Sequence, residues 1–150
     1  MSKIDLREDF ENQGLACPED TAQFQPALND YRQRTRYAQL MSIRQGLLAR
    51  QQRGRFFNPK LFADPAWDML LELYAASLTE RRLTVSRLAE RSGVPLTTAL
   101  RWITTLEMEQ LVDREDDRFD KRRMFLSLTP KGQKAMSAYF DELLPDTKIV

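Results

Sequence analysis

The sequence predicts a mainly α-helical fold with a small β-hairpin, and three observations lead to this fold class. Residues 84–110 have the pattern of a short helix, a glycine-containing turn and a longer helix. Two strand-like segments follow at 111–114 and 124–128, separated by a charged loop. Upstream, apolar residues recur at helical spacing from about residue 30 to residue 53. Together they indicate a winged helix-turn-helix domain preceded by a long N-terminal helix.

Length and composition limit the class of protein. A chain of 150 residues suits one domain plus an appendage. It contains neither the roughly 18 consecutive apolar residues of a membrane span nor the apolar run of a signal peptide. The single cysteine suits a reducing compartment. We therefore expect a cytoplasmic protein, associated with the bacterial nucleoid if it is a regulator.

Charged residues are distributed unevenly along the chain, although the net charge is only +1. Residues 1–30 are dominated by acids, whereas residues 31–55 contain arginines and no acid. The expected organisation is an acidic tail at 1–26, a long basic helix at 27–55, the DNA-binding domain at 56–145 and a short tail at 146–150. The acidic tail is either a mobile terminus or a strip that covers the basic segment and weakens non-specific DNA binding.

The long helix is expected to start at Asn29 or Asp30 and to run to about residue 53. Its narrow apolar stripe should pack on another subunit or across the winged helix, and Gly46 should permit close helix approach. Its arginines either form a solvated face or contact the sugar-phosphate backbone. The stripe consists of Tyr37, Leu40, Met41, Ile43, Leu47 and Leu48.

Next comes an aromatic connection, in which Phe56, Phe57 and Phe62 are expected to plug the edge of the domain. Asp64 and Pro65 mark a helix start, with a capping carboxylate and a proline at the first helical position. That helix should run to about residue 78. Its expected core face is formed by Trp67, Leu70, Leu71, Tyr74, Ala75 and Leu78.

The helix-turn-helix begins after a short β-prone segment at 83–85, which can add a third strand beside the hairpin. Ser86 is expected to cap the first helix and Pro95 to begin the second, at 96–110. Small hydroxyls and an arginine near the front of the second helix suit base edges in the major groove. Its expected buried side is Ala99, Ile103 and Leu106, and its polar side is Thr97, Thr98, Arg101, Thr104 and Thr105.

The loop at 115–123 is the expected wing. Its acids come first and its bases last, so ion pairs could pin the tip, with Asp120 bracing a loop arginine. Arginine held at a hairpin tip suits the narrow minor groove. A final helix at 131–144 begins at Thr129 or Pro130 and ends before Pro145. The candidate DNA-contacting residues are Ser86, Pro95, Leu96, Thr97, Thr98, Arg101, Thr105, Arg118, Asp120, Lys121, Arg122 and Arg123.

Residues 83–134 resemble the winged helix-turn-helix of MarR-type transcriptional regulators. The resemblance is carried by LTVSRLAERSGVPLTTALRWITTLEMEQLVDRE and DDRFDKRRMFLSLTPKG. Its most distinctive part is a D-x-x-D-[RK]-R wing followed by L-T-x-x-G. It implies that Thr97, Thr98 and Arg101 meet the major groove, and that Asp120 orients the wing arginine Arg122. The motif residues are Asp117, Asp120, Lys121, Arg122, Leu128, Thr129 and Gly132.

The chain departs from the family pattern in three places. Leu96 stands where the family often has a polar or basic base reader. Gln110 replaces the glycine usual after the recognition helix, and it requires either a left-handed backbone or a shifted turn. The family's C-terminal helical pair is reduced here to one helix. We expect a homodimer formed by the long N-terminal helix and the last helix, and the sequence names no small-molecule effector.

Catalytic patterns are absent from the sequence. It contains no histidine, no metal-ligand cluster, no phosphate-binding glycine loop and no nucleophile with a visible base. We therefore expect a non-enzymatic protein without cofactor or metal. Cys17 could be inert or oxidant-sensing, and the neighbouring acids favour the inert reading. A sequence-specific regulator is the main interpretation, and a winged-helix protein-interaction or architectural module is the alternative.

Overall fold

The computed structural model describes residues 21–144, with side chains from residue 28 onward. A short 3-10 turn at Pro59–Phe62 separates the first two helices. The predicted fold class is confirmed, because the described residues form five helices and a small three-stranded antiparallel sheet. The elements in chain order are α1 (Thr21–Arg53), α2 (Pro65–Leu78), β1 (Leu83–Thr84), α3 (Val85–Arg91), α4 (Leu96–Met108), β2 (Val112–Asp116), β3 (Met124–Leu128) and α5 (Pro130–Leu143).

Helix α1 begins at Thr21, before the predicted cap at Asn29 or Asp30. Residues 21–26, which the sequence places in the tail, are therefore helical. The remainder of that tail with Cys17, and the stop at Pro145 with the tail at 146–150, lie outside the described residues. The chain divides into two compact units, residues 1–36 and residues 37–150. In the first unit, Arg34 forms an ion pair with Asp30 at 2.9 Å.

The first core of the second unit lies between the helix-turn-helix and the sheet. The three predicted inward positions of α4 are all buried, as are Leu88 and Ala89 of α3. The buried α4 residues recur at i, i+4 and i+7, so one face of that helix closes on the core. The buried residues of this core are Met69, Leu73, Ala76, Leu83, Leu88, Ala89, Ala99, Ile103, Leu106, Val112 and Leu126.

A second core joins α1, α2 and α5. Ile43 and Leu47 of α1 pack with Tyr74 of α2 and with Phe140 of α5, whose ring stacks on that of Tyr74 at 5.6 Å. The Tyr74 hydroxyl donates a hydrogen bond to the buried Gln39 side-chain oxygen at 2.9 Å. The α1 stripe therefore packs across the winged helix on one side, as predicted. Its other members Tyr37, Met41 and Leu48 are exposed.

The sheet has the strand order β1-β3-β2, so the β-prone segment at 83–84 does add a third strand. Asp116 pairs with Met124 at the end of the hairpin where the loop begins. Helix α4 ends at Met108 rather than at residue 110, and Gln110 turns the chain into β2 with a φ of 59°. Of the two conformations expected for Gln110, the left-handed one is therefore present.

The corner at Gln110 is held by the start of α5. The Thr129 hydroxyl donates to the Gln110 carbonyl at 2.6 Å and accepts from the Gly132 amide at 3.0 Å. The Thr129 amide donates to the Leu111 carbonyl at 3.0 Å. Gly132 packs so closely on Leu111 that a Cβ would overlap the Leu111 carbonyl oxygen. The L-T-x-x-G motif is therefore a packing motif that fixes the chain between α4 and β2.

Three local predictions were wrong. The first turn of α3 is capped by Thr84, whose hydroxyl accepts from the Arg87 amide at 3.3 Å, and not by Ser86. Phe56 is 78% exposed, and Phe57 and Phe62 are also exposed, so these rings do not plug the domain edge. They lie in a connection whose only regular element is the 3-10 turn, and Phe57 packs edge-on against Phe62. Gly46 faces open space and not another helix.

Candidate nucleic-acid interface

Helix α4 has one buried face and one exposed face. Gly93, with a φ of 66°, makes the left-handed corner before it, and the Val94 amide donates to the Ala89 carbonyl at 3.2 Å. Pro95 precedes the first helical residue and is exposed. Because Thr97, Arg101 and Thr104 recur at i, i+4 and i+7, they share the face opposite the core. The turn thus presents the predicted polar face to solvent at the N-terminal end of the helix.

The predicted base-reading residues differ in solvent exposure and in their hydrogen bonds within the protein. Thr97, Arg101 and Leu96 are exposed, whereas Thr98 is half-buried. The Thr105 hydroxyl is exposed and donates to the Arg101 carbonyl at 3.2 Å, which leaves its lone pairs free. Ser86 is exposed in the first turn of α3. The Arg101 side chain takes part in none of the hydrogen bonds or ion pairs found in the described part of the chain, so its guanidinium is available to a ligand.

Thr104 has a structural role instead. Its hydroxyl donates to the Leu100 carbonyl at 3.0 Å and accepts from the Arg114 guanidinium at 3.1 Å. Arg114, on β2, also forms an ion pair with Glu107 at 2.7 Å. These contacts join the base of the hairpin to the exposed side of α4, so the hairpin starts beside the face that carries Thr97 and Arg101. The signal in the sequence was an arginine on the strand after the helix, with Thr104 and Glu107 one turn apart.

A second brace holds the strands at the base of the hairpin. The Arg82 guanidinium forms an ion pair with Glu115 of β2 at 2.7 Å and stacks over the Phe125 ring of β3 at 4.0 Å. The sequence analysis did not assign a role to Arg82. Because the pair is exposed, we expect its contribution to stability to be small, and its effect is to fix where the hairpin leaves the sheet.

The wing loop is braced by backbone hydrogen bonds to its aspartates. Asp117 accepts from the Phe119 amide at 2.9 Å, and Asp120 accepts from the Arg122 amide at 3.0 Å. The prediction that Asp120 braces an arginine side chain was therefore wrong in its chemistry. A short side chain reaches the amide two residues on more readily than it reaches a long solvated guanidinium. Asp120 orients Arg122 through the main chain.

The cations of the wing project freely. Arg118, Lys121, Arg122 and Arg123 are exposed, and none of them takes part in the ion pairs found within residues 28–144. The expected ion pairing across the loop is therefore not present. Phe119, to which the sequence analysis gave no role, lies among these cations and is 97% exposed. The wing is a rigid turn that carries positive charge around one aromatic ring.

Arg44 and Arg50 of α1 follow neither of the two readings proposed for the arginines of this helix. Arg50 pairs with Asp68 of α2 at 2.6 Å, and Arg44 approaches Glu72 at 3.5 Å. Glu72 is only 4% exposed and also accepts from Arg91 of α3 at 2.8 Å. A buried carboxylate with two guanidinium partners is satisfied, and it joins α1, α2 and α3. These arginines are thus used inside the domain.

The described residues contain neither a candidate metal site nor a candidate membrane span. Within the described residues there is no group of three or more histidine, cysteine or carboxylate side chains that could hold a metal ion. In the same part of the chain, no helix is long and apolar enough to span a bilayer.

One family model and several solved structures are similar to part of the chain. The family model described as the MarR family matches residues 66–124. No curated protein matches the chain. Among solved structures, MepR of S. aureus in a complex with DNA is 29% identical, over 53% of this chain and 65% of that chain, with a TM-score of 0.48.

Two further solved structures are similar. Wild-type MarR of E. coli in its apo form is 23% identical over 55% of this chain and 57% of that chain, with a TM-score of 0.45. A protein of Archaeoglobus fulgidus is 22% identical over 60% of this chain and 94% of that chain, with a TM-score of 0.48. This chain spans less than two thirds of the MepR and MarR chains. The segment that matches the MarR family model contains α2, the helix-turn-helix and β2, so this part of the chain is similar to that family.

Proposed function

We propose that this protein is a sequence-specific, double-stranded DNA-binding transcriptional regulator of MarR type. In this proposal α4 enters the major groove and the wing at 115–123 enters the adjacent minor groove. The observation that carries it is the brace from Arg114 to Thr104 and Glu107. Because of this brace, the cationic hairpin leaves the sheet beside the exposed face of α4, so one duplex can contact both the hairpin and that face. Residues 56–145 would form the DNA-binding domain.

The front of α4 would read bases. Arg101 is free to bind guanine O6 and N7 with two hydrogen bonds, which is the most common specific contact in the major groove. Thr97 and Thr98 would offer hydroxyls and methyls, and the exposed Leu96 side chain would contact a thymine methyl. Pro95 and Ser86 would approach the phosphates, because each is exposed at the start of a helix of the motif.

The wing would supply most of the electrostatic contribution. Arg118, Lys121, Arg122 and Arg123 are exposed without acidic partners in the described chain, so each can approach a phosphate or the minor groove. Asp120 would hold the turn that presents Arg122. Thr105, farther along α4, would contact the backbone of one strand.

Two copies of the chain would form the binding unit. Exposed apolar residues lie on α1 and on α5, which are the two helices that the sequence assigns to dimerisation. They are Tyr37, Met41, Leu48, Tyr139 and Leu143. A two-fold pair would place two α4 helices on successive half-sites of one duplex. Light scattering at micromolar concentration should give the mass of a dimer, and a monomer would contradict this part of the proposal.

The alternative is a winged-helix module that binds protein. The observation in its favour is that Leu96, Leu100 and Trp102 of α4 are partly exposed, which is unusual on a polar reading helix. The salt dependence of the binding affinity distinguishes the two functions. A DNA reader should lose affinity steeply as salt rises, by about 0.9 in log K per unit of log salt for each phosphate neutralised. A protein-binding module should show little of this dependence.

The experiment is a selection of duplexes from a randomised pool by the full-length protein, followed by titration of the selected and scrambled duplexes. Arg101→Ala should weaken the selected duplex about tenfold or more and leave the scrambled duplex nearly unchanged. Arg122→Ala should weaken both and lower the salt slope by about one unit. Lys134→Ala, an exposed cation on α5, is the control and should change neither. Absence of any selected sequence would refute the proposed function.

A further inference from the structure

The tip of the wing carries a feature that electrostatic binding does not require. Phe119 is 97% exposed, whereas phenylalanine is among the residue types most often buried. In the described part of the chain, no other ring and no guanidinium stacks on it. The hairpin closes behind it, because the Asp117 amide donates to the Arg123 carbonyl at 3.1 Å. Phe119 is therefore at the far end of a closed hairpin, with its ring in solvent.

The ring is presented by a fixed backbone. The Phe119 amide donates to the Asp117 carboxylate at 2.9 Å, and the Arg123 amide donates to the Asp120 carbonyl at 2.9 Å. These bonds brace the loop before and after the ring. A loop that is already ordered loses little conformational entropy when it binds, so the ring can enter a partner at low cost.

Exposed cations lie next to Phe119 in the loop sequence, and this combination indicates the chemistry of the partner. Arg118, Lys121 and Arg122 would contact anions while the ring enters something apolar. A nucleic-acid duplex has this arrangement, with phosphates outside and flat base faces within. Proteins that enter the minor groove use phenylalanine in this way to part neighbouring base pairs and kink the duplex. An anionic membrane surface has related chemistry, but one ring is too small an anchor, since even a single fatty chain binds membranes only marginally.

We propose that Phe119 is an apolar wedge that enters the minor groove, partly unstacks one base-pair step and kinks the bound duplex. This inference rests on the proposed function and adds a deformation of the DNA to it. The wing would then read sequence indirectly, because flexible pyrimidine–purine steps kink more easily than others. The brace from Arg114 to α4 fixes the distance between the base-reading helix and the kinked step.

The test uses full-length protein and the duplex that it selects from a randomised pool. 2-Aminopurine is placed in turn at each position of that duplex outside the segment read by α4, because its fluorescence rises when it unstacks. Wild-type protein should raise the fluorescence at one step per half-site, and end-to-end energy transfer should report a bend. Phe119→Ala should abolish both signals and weaken binding about tenfold, in the range measured for loss of one aromatic–base stack. Phe119→Leu should retain much of each signal, because leucine also serves as a wedge.

The control is Phe56→Ala, which removes another strongly exposed ring outside the wing and should change neither signal. If Phe119→Ala binds, bends and unstacks like wild type, or if no position brightens with wild type, the wedge is refuted while sequence-specific binding stands. If the pool yields no selected sequence, the proposed function itself fails. Phe119-dependent sedimentation with phosphatidylserine vesicles, without any unstacking of DNA, would assign the ring to a membrane and overturn the inference.

Discussion

Replacing Gly132 with alanine tests whether the start of α5 fixes the corner between the recognition helix and the wing. A Cβ at this position would overlap the Leu111 carbonyl oxygen and lie 3.1 Å from the Leu111 carbonyl carbon. The same carbonyl accepts the Thr129 amide, so Leu111 cannot withdraw without loss of that hydrogen bond. Gly132 belongs to α5 and is buried, which leaves the new methyl no other direction.

The expected change in the free energy of unfolding on Gly132→Ala follows from two opposed effects. Overpacking a well-filled site costs about 1–3 kcal/mol, and contact with backbone rather than with a flexible side chain favours the upper end. Alanine is better than glycine inside a helix by up to about 1 kcal/mol. We therefore expect Gly132→Ala to lower the free energy of unfolding by about 2 kcal/mol. Urea denaturation followed by circular dichroism measures this free energy. The slope of the free energy of unfolding against urea concentration should stay unchanged if only the native state is affected.

Gly46→Ala is the matched control. Gly46 is also helical, but nothing lies within 4 Å of the position of its Cβ. The same substitution should there raise the free energy of unfolding by about 0.5–1 kcal/mol, because only the helix preference remains. If Gly132→Ala were as stable as wild type or more so, the close contact with Leu111 would not constrain the corner, and the reasoning would be refuted.

Three further predictions concern charge, backbone and the wing. Glu72→Gln should lower the free energy of unfolding by about 1–2 kcal/mol, because it removes the buried negative charge that pairs with the partly exposed guanidiniums of Arg44 and Arg91. The exposed Glu90→Gln should change urea stability by less than about 0.5 kcal/mol. Gln110→Gly should raise the free energy of unfolding by about 1 kcal/mol, because φ is 59° at this position and glycine adopts that conformation without strain. Glu109→Gly should lower it, because φ is −76° there. Equal effects of the two substitutions in urea denaturation would contradict this reasoning. Asp120→Asn retains the acceptor for the wing turn and should bind the selected duplex at least as tightly as wild type, whereas Asp120→Ala should bind about threefold more weakly in the same titration. A loss with Asn equal to that with Ala would restore a role for the carboxylate charge.

Local patterns in the sequence were sufficient for most of the architecture. The apolar spacing of Ala99, Ile103 and Leu106 identified the buried face of α4, and Asp64 with Pro65 identified the start of α2. The glycine turn and the alternation at 124–128 located the motif and the wing. These patterns succeed because helix periodicity, caps and tight turns depend on residues close together in the chain. For Gln110, the resemblance to the MarR family left either a left-handed backbone or a shifted turn, and the structure has the left-handed one.

What the sequence could not supply depends on pairs of residues far apart in the chain. The partners of Arg44 and Arg50 are carboxylates on another helix, so a run of arginines that resembled a phosphate-binding surface is partly internal. Ser86 and Thr84 are both good caps, and the paired strand β1 decided between them.

By itself, the order of residues determined the class of fold and the motif, because both follow from local spacing, and it supplied the candidates for DNA contact. Only the tertiary structure decided which of those side chains are free. It assigned Thr104 to Arg114, Asp120 to a backbone amide, and left Phe119 in solvent. The physical reason is that a polar side chain takes whichever partner the folded chain brings within hydrogen-bonding distance, and that partner can be anywhere in the sequence.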